Sequence, residues 1–467
     1  MFAKVLDKYQ QLNNNILKLT HMKFFNEIYA GLLAALTVFG WKVNTTVGMV
    51  LMLLVSTIAL LITRSLKYVI PSCIYFIFMF SEGFSNQTIP IPILILGSLF
   101  AIVICIFSFK DGFHFKKMKS FIGLTGLAIT TIIPILWCRA PQGNEVFYFL
   151  FFGNLGYFIL YIIMVNGIKG DAIDILAVSM SYLSVILACE CGLKAYELRN
   201  TVSNILDLWY YLGWGLCNEA GIMICVSIPF AFYLLGKQKK LSGMIFQNFK
   251  IIFGIIGIIL TTSRGSYLFG FLEIGILYII LMFTAKKARL YQNTFFVYAI
   301  IMIVVAICMK GTITEIIEQV LHSVFNQGFD DNGRKELWET AFKYWNAKPH
   351  TRIFGAGFIC YIISQNTALG IQLSPQVFHS TFFQTLAVGG LVGLLFLIIH
   401  FIEKYKNLYK CDKFFFLIIG IGFVMVDIYG MIDNTYHMYY FMIPLMIIMA
   451  VVDAGKDNLP KNTLEVN

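Results

Sequence analysis

Apolar runs near the ~20 residues that a bilayer core requires recur along the whole chain, parted by short breaks of charged and polar residues. About 14 of these runs read as membrane-spanning helices. They lie roughly at 24–41, 44–63, 66–84, 88–109, 120–138, 147–166, 172–192, 214–236, 248–263, 265–285, 294–309, 380–402, 414–432 and 436–453. One interval breaks the rhythm. Roughly from 310 to 379 there is no apolar run of that length, and a stretch this long between packed elements usually carries function. Two amphipathic helices are predicted inside it. In Thr314–Gln327 the residues Ile316, Ile317, Val320, Leu321, Val324 and Phe325 recur at helical spacing. In Arg334–Trp345 the stripe is Leu337, Trp338, Ala341, Phe342 and Trp345, and Asp330-Asp331-Asn332-Gly333 supplies capping chemistry just before it. Both stripes suit helices lying flat on a bundle or at a lipid interface.

The pattern divides the chain into N-terminal transmembrane helices (1–195), a second helical group with a Ser-Arg-Gly turn (196–309), the large loop (310–379), C-terminal transmembrane helices (380–453) and a tail (454–467). The predicted fold is all-α, a polytopic membrane bundle with one large outer loop.

Composition narrows the class further. Of 467 residues, 58% are hydrophobic, 16% aromatic and only 13% charged, and the mean hydropathy is +0.77. A soluble chain carries about 25% charged residues. Half that density cannot cover the surface of a soluble multidomain enzyme, and the apolar content excludes disorder. The formal charge of +10 would suit nucleic acid, but its placement argues otherwise. Most of the 35 basic residues fall in the N-terminal segment and in alternate gaps between spans, such as Lys110, Lys116, Lys117 and Lys119, or Lys286, Lys287 and Arg289. Short cytoplasmic loops hold such an excess. The charge is therefore a topology signal with no nucleic-acid partner implied. Both termini are expected in the cytoplasm, and the large loop outside. No cleavable signal peptide is recognised in the first 23 residues. The 10 cysteines lack the spacing of a disulfide framework or a zinc site, so neither a metal nor another cofactor is expected.

Three residues stand out for chemistry. Arg264, in Thr261-Thr262-Ser263-Arg264-Gly265-Ser266, sits between two apolar runs. An arginine at membrane depth points by default to a partner or substrate, although one at a helix end can snorkel to the interface. Arg334 opens the second loop helix, four residues before Trp338, where a cation–π contact is the alternative to a ligand. His379 opens a span in Phe378-His379-Ser380-Thr381. It is either structural or the natural general base of this group. Two arginines and a histidine on the outer side suit an anionic leaving group such as a diphosphate, together with deprotonation of a hydroxyl. Glu273 and Asp427 read as polar glue between helices. Arg352 has no evident role beyond a loop charge.

Several pieces, in order over roughly 196–434, resemble the superfamily of O-antigen ligases and O-antigen polymerases, bacterial membrane glycosyltransferases. Leu260-Thr261-Thr262-Ser263-Arg264-Gly265-Ser266 is similar to its Ser-Arg-Gly turn, and Gly333-Arg334 with Trp338 to its loop arginine and tryptophan. Ile353-Phe354-Gly355-Ala356-Gly357-Phe358 resembles its Gly-x-Gly segment. His379-Ser380 before Phe382-Phe383, with Gly389, Gly390 and Gly393 following, resembles its His-Asn/Ser stretch. Asn218 before Ala220, and Asp433-Asn434, are weaker matches.

The resemblance implies a bacterial inner-membrane enzyme that moves an undecaprenyl-diphosphate-linked oligosaccharide on the outer face, metal-independent and inverting. By that resemblance Arg264 and Arg334 hold the diphosphate, His379 activates or orients the acceptor, and Trp338, Asn218 and Asp433 join the substrate site. The first reading is a polymerase of capsular, exopolysaccharide or O-antigen repeat units. The second is a ligase that moves a glycan to another acceptor. The third is a transporter of the lipid-linked sugar, although no internal repeat suggests two inverted halves. A flippase and a chain-length regulator are the partners such a role brings into view, besides membrane lipid.

Overall fold

The computed structural model describes residues 23–79, 90–137, 154–169, 171–201, 211–212, 215–284, 334–357, 364–366, 371–373 and 378–455. Fifteen α-helices are described: α1 (Lys23–Lys42), α2 (Thr45–Thr63), α3 (Ile70–Phe78), α4 (Ile91–Phe109), α5 (Phe121–Ile132), α6 (Asn154–Gly167), α7 (Ile173–Leu198), α8 (Cys217–Gly236), α9 (Leu241–Leu260), α10 (Arg264–Thr284), α11 (Arg334–Trp345), α12 (Pro349–Phe354), α13 (Thr381–Tyr409), α14 (Lys413–Tyr429) and α15 (Tyr439–Ala454). Two short antiparallel hairpins accompany them. One pairs β1 (Tyr211–Leu212) with β2 (Gly215–Leu216), and the other β3 (Ser364–Asn366) with β4 (Ile371–Leu373).

Local chemistry fixes several helix starts. Asn44, Ser380 and Asp412 each accept a hydrogen bond from the backbone three residues on, opening α2, α13 and α14. Pro71, Pro92 and Pro349 sit in first turns, where a missing N–H costs nothing.

Seven described helices, α2, α4, α7, α8, α9, α10 and α13, are long and apolar enough to cross a membrane. Their outward faces carry large apolar side chains in the open. Leu94, Ile95, Leu99, Ile102 and Ile106 line α4, and Leu391, Leu395, Ile398 and Ile402 line α13. Faces of that size and composition suit lipid rather than water. Buried at the centre is α8, packed on α7, α9, α10 and α14, while α15 is buried beside α6. Described helices overlap the predicted spans other than 294–309, those at 66–84, 88–109 and 147–166 only in part; 294–309 and the predicted amphipathic helix at 314–327 lie outside the described residues.

Two lysines depart from the expected topology pattern. Lys250, near the start of the run at 248–263, and Lys404, just beyond the run at 380–402, each lie well inside a helix, because α9 begins at Leu241 and α13 continues to Tyr409. Lys250 Nζ donates to Glu27 Oε2 (2.7 Å) and Ser181 Oγ (3.0 Å), and Lys404 Nζ to Asp427 Oδ2 (2.6 Å) and Tyr436 Oη (2.9 Å). A lysine near the end of an apolar run reads as a loop charge until its partner is seen. Asp427 thus joins α13 to α14, as expected of polar glue. Glu273 differs: it is fully buried in α10, and neither carboxylate oxygen has a hydrogen-bond partner among the described residues.

The large loop is stitched onto α13. Gly390 interrupts that helix with φ 64° and ψ −159°, which detaches the carbonyls just before it from their usual donors. Ala356 N–H donates to Ala387 O (2.6 Å) and Gly357 N–H to Val388 O (3.0 Å) in their place. Gly355, with φ 78°, faces Gly390 so closely that a Cβ on either would strike the other's backbone region. Only glycine combines this conformation with this approach.

Candidate active site

The N-terminus of α13 and the turn between α14 and α15 meet backbone to backbone. Thr381 N–H donates to Gly430 O (2.7 Å) and Asp433 O (3.2 Å), and Thr435 N–H to Thr381 Oγ1 (3.1 Å). This junction sets His379 beside Asp433, with Nδ1 3.2 Å from Oδ1. Asp433 Oδ1 also accepts from Asn434 N–H (2.8 Å), and Asp433 is nearly buried. Because a carboxylate only accepts, Nδ1 is the donor of this bond, which leaves Nε2 as the ring nitrogen turned to other partners. The histidine side chain is 32% exposed, so a group in hydrogen-bonding reach of solvent is oriented by a buried acid. An imidazole held in this way can serve as a general base.

His379 holds φ 44°, and Thr262, two residues before Arg264, holds φ 53°. Non-glycine residues rarely occupy this region, and strained backbone of this kind concentrates at functional sites.

Gln384 braces both walls of the junction. Its Oε1 accepts from Phe378 N–H (3.0 Å) and from Asn434 Nδ2 (3.0 Å). Trp338, on α11, closes the same side: its indole N–H donates to Phe378 O (3.0 Å) while its ring stacks on Phe383 at 5.1 Å between centroids. Arg334 stands at the start of α11, four residues before Trp338, or about 6 Å along the axis. It is half-buried.

Arg264 begins α10 and is exposed, while Thr261, Ser263 and Ser266 around it are buried. The turn is anchored on Tyr429, the last residue of α14. Its phenol oxygen lies 2.8 Å from Ser263 Oγ and 3.1 Å from Ser266 Oγ. Asn218 lies in the first turn of α8, half-buried, and Gly221 one turn on lies against Ser266 Oγ. The structure therefore joins His379, Asp433 and Trp338 through adjacent bonds. It brings Arg264 and Asn218 to the same assembly through the Tyr429-anchored turn, and leaves Arg334 one helical turn from Trp338. Arg352 is exposed on α12, where its carbonyl accepts from the Trp345 indole (2.8 Å).

Gln384 and Tyr429 escaped the sequence reading, and Asn434 entered it only as a weak match beside Asp433. The two amides have no distinctive spacing, and an aromatic at the end of an apolar run carries no signal of its own. His437 is placed by the structure as a bracing residue: its ring nitrogens meet Asn154 Nδ2 (3.2 Å) and Thr385 Oγ1 (3.0 Å) deep in the interior.

Residues 249–398 match the family model described as O-antigen ligase. The matched segment holds Arg264, Arg334, Trp338 and His379, and leaves Asn218 and Asp433 outside. Over that segment the chain is similar to the O-antigen ligase family. A comparison with curated proteins finds no match.

Proposed function

We propose that this chain is a multi-pass bacterial inner-membrane glycosyltransferase that polymerises undecaprenyl-diphosphate-linked oligosaccharide repeat units on the outer face of the membrane. The observation that carries this reading is the His379–Asp433 pair: a partly exposed imidazole hydrogen-bonded to a buried acid, four residues from Tyr429, on which the turn presenting Arg264 is anchored.

In the proposed reaction an acceptor sugar hydroxyl attacks the anomeric carbon of the lipid-linked chain. The new C–O bond forms as the bond from that carbon to the diphosphate breaks, with inversion at carbon. The hydroxyl proton passes to His379 Nε2, and the electron pair leaves with undecaprenyl diphosphate. Asp433 Oδ1 accepts from Nδ1–H throughout and stabilises the imidazolium. Arg264 and Arg334 hold the diphosphate, where fixed guanidinium groups match the charge that grows on the leaving oxygen. Trp338 gives the sugar an amphipathic wall. Asn218 and Asp433 complete the substrate site. Turnover needs no metal in this scheme, and both termini lie in the cytoplasm.

The test is direct. Purified protein in lipid receives one lipid-linked repeat unit and no other acceptor, with and without chelator, beside Arg334→Ala. A ladder of products that survives chelator and vanishes in the variant supports a metal-independent polymerase. The description of the matched family favours a second reading, a ligase. Product that appears only when a different acceptor is supplied would replace the polymerase with that activity.

A further inference from the structure

Tyr429 connects two halves of the proposed site that share no sequence segment. Its side chain is 1% exposed. The phenol oxygen bridges Ser263 Oγ and Ser266 Oγ, the two hydroxyls flanking Arg264-Gly265. Its ring lies on Gly265, where an added Cβ would come within 2.5–2.7 Å of ring and hydroxyl atoms, and stacks on Phe269 of α10 at 5.3 Å. The glycine of the Ser-Arg-Gly turn is thus required by the ring above it. On its other side, the Tyr429 carbonyl accepts from Ile432 N–H and Asp433 N–H, both at 3.0 Å, which starts the turn presenting Asp433 to His379. One residue therefore touches the arginine turn through its side chain and the acid of the imidazole pair through its backbone.

We propose that Tyr429 is a positioning residue: its hydroxyl holds the 263–266 turn so that Arg264 faces the diphosphate at a set place relative to His379. This rests on the transferase reading above. The hydroxyl acts on the arginine side alone, because the carbonyl that organises Asp433 is backbone and survives any substitution.

The experiment compares wild type, Tyr429→Phe, Ser266→Ala and the double variant, each as the full chain in lipid nanodiscs. Tyr429→Phe keeps the ring on Gly265 and Phe269 and removes only the oxygen. Two readouts are taken: binding of undecaprenyl diphosphate without any acceptor, and kcat and KM for the lipid-linked donor across pH. A misplacement of about 1 Å can cost about 10²-fold, so a smaller shift on losing one bridging hydroxyl should cost about tenfold. The expected result for Tyr429→Phe is that loss in undecaprenyl diphosphate affinity and in kcat/KM, with an unmoved pH profile because the His379–Asp433 pair is intact. The double variant should be little worse than Tyr429→Phe alone, since that change already removes the Ser266 arm of the bridge. Wild-type affinity and kcat/KM in Tyr429→Phe would overturn the proposal, as would strictly multiplicative losses in the double variant. The binding arm needs no turnover. Wild type that binds undecaprenyl diphosphate but makes no product defeats the transferase reading, while its binding comparison with Tyr429→Phe still decides the role of the hydroxyl.

Discussion

Between Asp427 and Asp433 the chain turns from α14 toward α15 and carries two acid–base pairs with opposite characters. Asp427 pairs with Lys404, whose side chain is 0% exposed, and its oxygens also accept from Tyr405 (2.6 Å) and Tyr436 (3.4 Å). The aromatic rings of Phe401, Tyr405 and Phe423 stand within 5 Å of the ammonium. Asp433 pairs with His379, which is a third exposed, and its Oδ2 is buried without a hydrogen-bond partner among the described residues. In the first pair the acid and the ammonium are enclosed by protein, so the group locks two helices. In the second, one imidazole nitrogen and one carboxylate oxygen are unspent, and an unpaired buried acceptor persists only where something compensates it. The Lys404 pair is closed among the described residues, and the His379 pair is open to a ligand.

The comparison can be broken most severely at the closed pair. Lys404→Met leaves the Asp427 carboxylate buried without its cation, and the expected loss is about 3–5 kcal/mol of stability. Thermal unfolding of the purified chain in detergent reads it, and adding Asp427→Leu should recover most of the loss. A single variant as stable as wild type would contradict the architectural role. At the open pair the effect should be kinetic. Asp433→Asn keeps the shape but not the charge or the tautomer control, so turnover should fall by about 10²-fold or more and the pH–rate profile should move, with folding little changed. An unaltered profile would separate Asp433 from the base. Trp338→Phe removes one hydrogen bond, worth about 1 kcal/mol, and keeps the stack on Phe383. A several-fold loss of turnover is expected, and none at all would reduce the indole N–H to a bystander. Arg352→Ala should be the mildest, within about 0.5 kcal/mol in stability and with wild-type turnover, because its side chain is exposed; a large loss would assign that arginine a place in the site.

Much of the scaffold was legible beforehand because the bilayer imposes a length. Runs of about 20 apolar residues placed most helices, and α11 begins and ends where its amphipathic stripe does, at Arg334 and Trp345. The buried lysines were not legible. Lys250 and Lys404 sit among charges at the ends of apolar runs, and only their partners in distant helices distinguish them from loop cations. The glycine cluster at 389, 390 and 393 was visible, yet which of them interrupts α13 depends on the docking of Gly355, thirty-five residues away in sequence. His379 and Arg264 are proposed from local context. Asp433 came only through resemblance, because a single acid between two spans resembles any other until the histidine lies 3.2 Å away. Tyr429 left no mark, since its role is a contact geometry rather than a motif.

The central claim is that the open pair performs the transfer while the rest holds substrate and shape. Its most direct test is the single-turnover rate of His379→Ala against wild type, at equal amounts of folded protein and with donor binding measured in parallel. The account predicts a rate lower by about 10²–10⁴-fold with donor affinity preserved. A rate within twofold of wild type, or a loss that merely follows weakened donor binding, would contradict it.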